Sequence, residues 1–146
     1  MEARKLWKSK HVINREMKSR VRDFEDAMQG IDPETDKKVE NFDFLEWFHY
    51  YVLSYEYDSK YKAKKMVLSW GGPDDFFLFH DDGTIEYYYS NWMDYAVCNV
   101  TGSNYAVMRK VFNRLKNLEL EDHVLHCSND GDSPEMQKII NFIYNE

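Results

Sequence analysis

The chain of 146 residues has only two cysteines, three prolines and six glycines. Two cysteines are too few for a disulfide scaffold and fit a cytoplasmic protein with reduced thiols. No apolar run reaches the roughly 18 residues of a membrane-spanning helix, and no apolar stretch follows the early basic residues as in a signal peptide. We therefore expect a cytoplasmic protein without membrane association, folded as a single domain over residues 1–146.

Charge is distributed unevenly along the chain, although the net charge is only −7. Residues 1–22 hold eight Lys or Arg and two Glu, whereas the rest of the chain holds 11 basic and 24 acidic residues. A basic N-terminal helix of about residues 3–28 thus precedes an acidic α+β body of about residues 40–146. Such a body attracts basic partners and repels the nucleic-acid backbone, although solubility alone explains the same charge.

Hydrophobic periodicity predicts helices near both ends of the chain. Residues 3–28 place apolar side chains at spacings of three, four and seven, and Gly30 is expected to end this helix. The polar residues 31–39 are typical of an exposed connection. Three further helices are expected, at about residues 40–56, 104–117 and 134–144.

The middle of the chain is typical of an antiparallel sheet. Residues 61–70 end in an apolar run before Gly71-Gly72-Pro73, and two aromatic segments then flank Asp82-Gly83. Asp-Gly in this position predicts a hairpin with a two-residue type I′ turn, which places Phe79 opposite Glu86 and Leu78 opposite Tyr87. Residues 94–100 are a further predicted strand, and residues 123–127 a short fifth one.

These elements predict an α+β fold, in which an antiparallel β-meander of three to five strands packs with about four helices, because short links join consecutive strands. Gly71-Gly72-Pro73 lacks the lysine and the following helix of a phosphate-binding loop, and two aspartates follow it. His123, His126 and Cys127 do not share one strand face and lack paired CxxC spacing. No metal ion and no cofactor are therefore expected.

The segment from Leu68-Ser69 and Gly71-Gly72-Pro73 through Asp82-Gly83 to Tyr87–Trp92 and Asp94 resembles small uncharacterised acidic proteins of phage and plasmid origin. The resemblance covers about residues 66–115. It implies a mobile-element accessory protein, in a class that includes inhibitors of host nucleic-acid or defence machinery such as anti-CRISPR proteins. It implies no catalytic residue.

The leading hypothesis is a non-enzymatic protein whose acidic, tyrosine-rich surface docks a basic partner, such as a nucleic-acid-binding host protein or complex. The residues expected to contact this partner are Asp74, Asp75, Asp81, Asp82, Glu86, Tyr88, Trp92 and Asp94.

Two alternatives come from other functional classes. The first is nucleic-acid binding through the basic helix. Its expected residues are Arg4, Lys5, Lys8, Lys10, Arg15 and Lys18. The second is a small hydrolase that uses the aspartate cluster near the strand ends, or the residues around His123.

Overall fold

The computed structural model describes residues 9–92 and 94–126, with the side chains of residues 9–92 and 94–118. The helices are α1 (Ser9–Met28), α2 (Phe44–Tyr51) and α3 (Gly102–His126). The strands are β1 (Ile31–Asp32), β2 (Lys37–Lys38), β3 (Ser54–Asp58), β4 (Ala63–Ser69), β5 (Asp74–His80), β6 (Ile85–Asn91) and β7 (Asp94–Asn99). The chain forms two compact units, which divide after Met108 within α3.

The α+β class is confirmed, with three helices and two antiparallel sheets in the part of the chain that the structure describes. The larger sheet is a meander of five strands in the order β3-β4-β5-β6-β7, as the short links between predicted strands require. The smaller sheet is the hairpin of β1 and β2. The helix expected at about residues 134–144 lies outside the described residues.

Helix α1 follows the predicted periodicity from Ser9 onward. Its apolar face is buried, with Met17, Val21 and Phe24 at most 4% exposed. Gly30 ends the helix as expected, with φ at +79° and its N–H donating to the carbonyl of Ala27. Packing of this face on the sheet, and not helix propensity alone, holds a helix of this length in place.

Three segments differ from the sequence-based prediction. Helix α2 starts at Phe44, because the Asp43 carboxylate caps it by accepting from the N–H of Glu46, and it ends at Tyr51. Residues 54–56, predicted as helix, lie in β3, where pairing with β4 satisfies their backbone. Residues 31–39 form a hairpin, and residues 123–126 continue α3 where a strand was predicted.

The register of the central hairpin was predicted wrongly by one residue. Phe79 lies opposite Ile85 and Leu78 opposite Glu86, because three residues, 81–83, lie between the hydrogen-bonded pair His80 and Thr84 where a loop of two was expected. The N–H of His80 donates to the carbonyl of Thr84, and Gly83 has φ at +92°. This is typical of a three-residue hairpin loop, in which only the last residue needs the left-handed conformation.

The one-residue shift decides which side chains form the core, since neighbouring residues of a strand point to opposite faces. Phe77 and Phe79 share a face with Ile85 and Tyr87, and all four are at most 2% exposed. Helix α1 covers this face, and the ring of Phe24 meets that of Phe77 edge to face at 6.5 Å. This inner face is therefore covered, whereas Phe76 and Tyr88 of the hairpin lie on the outer face.

Candidate functional site: an acidic aromatic cleft

The aspartates predicted to dock a partner do not form one surface. Asp74 begins β5, whereas Asp81 and Asp82 follow its other end. Asp81 follows Asp74 by seven positions of mostly extended chain, a distance of roughly 23 Å. A single small partner segment therefore cannot contact the whole predicted set.

Asp75 belongs to the interior and not to the surface, because it is 3% exposed. Its carboxylate accepts from Nε and Nη2 of Arg20 at 2.8 and 3.0 Å, and from the hydroxyls of Ser69 and Tyr87. Burial, followed by the charge of Asp75, raises the pKa of Tyr87. With all these donors satisfied inside the fold, Asp75 holds α1 against the sheet and is unavailable to a partner.

Most of the other predicted docking carboxylates have structural partners too. Asp82 accepts from the hydroxyl and from the N–H of Thr84, and these two hydrogen bonds lower the pKa of Asp82. Asp81 accepts from the hydroxyl of Tyr57 at 2.8 Å. These contacts stabilise the β5–β6 loop and the neighbouring β3 strand.

Asp94 and Glu86 also have partners within the fold. The Asp94 carboxylate accepts from the backbone N–H of Ser9 at 2.6 Å and so satisfies the start of α1. Glu86 lies 2.6 Å from Nε2 of His80 across the β5–β6 pair. The predicted acidic residues are thus largely explained by local structure, whereas Tyr88 and Trp92 of that set line a cleft on the outer sheet face.

The basic residues of the alternative hypothesis are partly on the surface. Lys10, Arg15 and Lys18 are exposed on α1, and Arg15 lies 3.6 Å from Glu16. Arg4, Lys5 and Lys8 lie outside the described residues. Arg20 points inward to Asp75, so the described part of the helix offers phosphate fewer cations than its composition indicates.

An acidic cleft of about 400 Å³, which was not predicted from the sequence, lies between the β1–β2 hairpin and α2. Its carboxylates come from Asp32, Glu34, Asp43 and Glu46. Its apolar wall comes from Val39, Phe42, Trp47 and Tyr50. The signal was present in the sequence, since residues 30–50 hold six Asp or Glu and only two Lys.

The aromatic wall of this cleft contains one ring that is packed against the core, Trp47, and one that is exposed to solvent, Tyr50. Trp47 stacks on Tyr51 at 4.6 Å between ring centroids and meets Phe24 edge to face at 5.3 Å, so the core fixes its orientation. Tyr50, three residues after Trp47 on α2, lines the same cleft and is 77% exposed. An exposed tyrosine beside an anchored tryptophan is the arrangement found at protein interfaces.

Lys37 and Lys38 are the nearest cations along the chain, and Lys37 pairs in register with Asp32 in the hairpin. Arg22 contacts Asp26 at 4.0 Å and Asp36 at 3.8 Å, and these exposed pairs are weak. The region around the cleft therefore keeps a surplus of negative charge. A cationic side chain entering it meets carboxylates at the rim and ring faces on the wall, which attract it by charge and by cation–π contact.

Catalytic and metal arrangements find no support among the described side chains. Within residues 9–92 and 94–118, no group of three or more His, Cys, Asp or Glu is arranged to hold a metal ion. Cys98 lies on the inner face and His80 on the outer face of the sheet, so they do not form a nucleophilic pair. Burial raises the pKa of Cys98, which disfavours a reactive thiolate. Cys127 lies outside the described residues.

Among the described residues, no helix combines the length and the apolar character that a membrane crossing requires. No protein-family model matches the chain, and no curated protein or solved structure is significantly similar to it.

Proposed function

We propose that this protein is a binding protein that docks a cationic segment of a basic partner in the acidic aromatic cleft between the β1–β2 hairpin and α2. The observation that carries the proposal is the convergence of Asp32, Glu34, Asp43 and Glu46 on a cleft walled by aromatic rings. The activity is binding, and it needs neither metal nor cofactor. The docking surface that we propose is therefore this cleft, and not the strand ends expected from the sequence.

Both components of the cleft favour a lysine- or arginine-rich segment. Carboxylates at a rim accelerate encounter with a cationic partner, while aromatic residues supply contact area and cation–π attraction. A cation–π contact at an exposed site contributes about 0.5–1 kcal/mol. The cleft volume of about 400 Å³ is large enough for one or two long side chains.

Nucleic-acid binding by α1 is the second candidate function, and the exposed Lys10, Arg15 and Lys18 support it. The pairing of Arg20 with Asp75 and the acidic residues Asp23 and Asp26 later in the helix weaken it. We rank it below the acidic cleft because these carboxylates on the same helix repel a phosphate backbone.

The partner class stays a prediction. The resemblance to mobile-element accessory proteins favours a nucleic-acid-binding host protein or complex, with inhibition of host or anti-CRISPR type as the outcome of docking. Such machinery exposes basic surfaces that contact phosphates, so an acidic cleft competes for the same surface.

The test uses a fluorescein-labelled peptide rich in Lys and Arg, titrated with the full chain at about 0.1 M salt, where the Debye length is about 10 Å. Glu34→Gln with Glu46→Gln removes two charges from the cleft. At about 0.2–1 kcal/mol for each exposed pair, the double variant is expected to weaken binding about 2- to 30-fold.

The matched control is Asp81→Asn with Asp82→Asn, which changes the net charge equally but alters the far end of the sheet. It is expected to leave peptide affinity within about twofold, because the effect of exposed charges falls off beyond the Debye length of about 10 Å. Equal losses in the two double variants contradict docking in the cleft and leave only non-specific attraction by net charge. Absence of peptide binding at low salt contradicts the proposed function itself.

A further inference from the structure

The outer face of the five-stranded sheet carries a second cleft of about 540 Å³, whose described lining residues include no carboxylate, unlike those of the acidic cleft. We infer that this face binds single-stranded nucleic acid, with bases stacked on its aromatic rings and phosphates paired with lysines at its edge. The rings come from Tyr61, Phe76, Tyr88, Trp92 and Tyr95. This binding is separate from the docking of a basic segment.

The rings already form a stacking surface. Phe76 and Tyr88 stack on each other across neighbouring strands, with ring centroids 4.7 Å apart and planes within 12° of parallel. Tyr61 reaches over from the β3–β4 loop, 6.2 Å from Tyr88. A base can stack on a half-exposed aromatic pair of this kind regardless of sequence, since every base has a π face.

Two further rings extend this surface toward open solvent. Tyr95, on edge strand β7, is 70% exposed, and Trp92, in the turn before β7, is 84% exposed. Trp92 has φ at +60°, an uncommon conformation for a bulky residue. A large apolar side chain held exposed at the mouth of a cleft marks a recognition surface.

Lysine side chains lie next to the rings. Residues 58–65 hold four Lys and one Asp. The ammonium of Lys65 lies 4.4 Å from the ring centroid of Phe76 and 5.8 Å from that of Tyr61, and the ammonium of Lys60 lies 5.5 Å from that of Tyr61. Ring faces flanked by ammonium groups complement a base attached to a phosphate, and they repel the basic segment proposed for the other cleft.

The carboxylates on the same face are Asp74, Glu86 and, on strand β3, Glu56 and Asp58. Glu56 lies directly opposite Lys65. Asp74 accepts from the N–H of Gly72, and Glu86 contacts His80. Among the side chains that line the cleft none is a carboxylate. Burial, then the charge of Glu86, raises the pKa of Tyr88, so its hydroxyl stays protonated and can donate to a phosphate or base oxygen.

The test is a titration of labelled single-stranded oligo(dT), on the order of 10 nucleotides, with the full chain at about 0.1 M salt. Tyr95→Ala removes one stacking ring without opening the core. It is expected to weaken binding about 5- to 150-fold, the range for loss of one stacked base. Tyr50→Ala is the matched control, since it removes an equally exposed tyrosine from the acidic cleft, and it is expected to leave oligonucleotide affinity unchanged.

Salt dependence tests the lysines. Lys60→Gln with Lys65→Gln is expected to lower the slope of log affinity against log salt by roughly 1.4, at about 0.7 for each phosphate contact to a single strand. Failure of the wild-type chain to bind the oligonucleotide overturns the inference. If binding is lost only in the triple variant Lys10→Gln, Arg15→Gln and Lys18→Gln, the oligonucleotide binds to α1 and not to the sheet face. Concentration-dependent dimerisation that Tyr95→Ala abolishes, without oligonucleotide binding, assigns the face to a second copy of the chain.

These outcomes are independent of the acidic cleft, because the probe, the variants and the sign of the charge all differ. If the basic peptide binds and the oligonucleotide does not, only the sheet-face inference fails. The opposite result removes the proposed function and leaves the inference in place.

Discussion

Replacing Arg20 by Met is expected to destabilise the fold strongly, because it leaves the carboxylate of Asp75 buried without a cation. The guanidinium donates to both oxygens of Asp75, at 2.8 and 3.0 Å, and also to the hydroxyl of Tyr51 at 2.8 Å. Asp75 is 3% exposed. Burial by itself lowers the pKa of Arg20. The hydrogen bonds and electrostatic interactions with Asp75 and Tyr51 outweigh this effect, so the pKa of Arg20 is raised. Met keeps most of the apolar stem and removes only the charge and donors.

Removal of one partner from a buried ion pair costs about 3–5 kcal/mol. The hydroxyls of Ser69 and Tyr87 still donate to Asp75 in the variant, so we expect about 3 kcal/mol, at the lower end of that range. At roughly 2–4 °C for each kcal/mol in a chain of this size, the melting temperature should fall by roughly 6–12 °C.

The assay is urea unfolding at neutral pH, followed by circular dichroism, with thermal unfolding as a second measurement. The double variant Arg20→Met with Asp75→Asn removes the unpaired charge and should recover more than about 1 kcal/mol relative to Arg20→Met alone, because residues in one network couple by about 0.5–3 kcal/mol. A loss below about 1 kcal/mol in the single variant, the value of an exposed ion pair, refutes the reasoning.

Two predictions concern the β5–β6 loop. Gly83→Ala should destabilise the protein by roughly 1–2 kcal/mol through backbone strain at its φ of +92°, since a Cβ there meets no atom within 4 Å; Gly83→Asn should cost less in the same unfolding assay, and equal costs contradict strain as the cause. Thr84→Val should raise the pKa of Asp82 toward its usual 3.8, measured by carboxyl NMR titration. A lowered pKa of Asp82 stabilises the folded state, and this stabilisation is lost as the pH falls through the folded-state pKa. The variant and the wild type should therefore differ in stability near neutral pH and converge in acid. An unchanged pKa of Asp82 in the variant excludes the Thr84 hydroxyl as the cause of the lowered pKa.

Local patterns were sufficient to predict most of the elements. The apolar spacing around Met17 and Val21 predicted α1, and Gly30 predicted where α1 ends. The order of the short aromatic strands predicted the meander. These features depend on periodicity and on backbone conformations that few residues other than glycine adopt, and both are readable from neighbouring residues.

The register and the site depended on contacts that local patterns do not encode. Asp82-Gly83 fits a two-residue turn and a three-residue loop equally well, and the choice is made by burying Phe77 and Phe79 under α1. Asp75 looks like a loop aspartate in sequence, but Arg20, 55 residues away, pairs with it in the interior. Residues 54–56 follow an aromatic helix without a break such as Gly or Pro, so strand β3 became visible only through its pairing with β4.

The acidic cleft was missed for a related reason. Its carboxylates are spread over the β1–β2 hairpin and the start of α2, and a prediction that treats residues 31–39 as an exposed connection does not place Asp32 beside Glu46. The count of acidic residues in this part of the chain was available, but the fold of the hairpin was needed to bring them to one aromatic wall.

Amide chemical-shift mapping with an unlabelled Lys- and Arg-rich peptide tests the central claim most directly, because it locates the contact without altering the protein. The cleft predicts shifts confined to residues 32–50, with the largest at Glu46 and Tyr50, that diminish as salt rises from about 0.1 M to about 1 M and the Debye length falls from about 10 to about 3 Å. Shifts centred on Asp81, Asp82 and Glu86, or spread over the whole acidic surface, would contradict docking in the cleft.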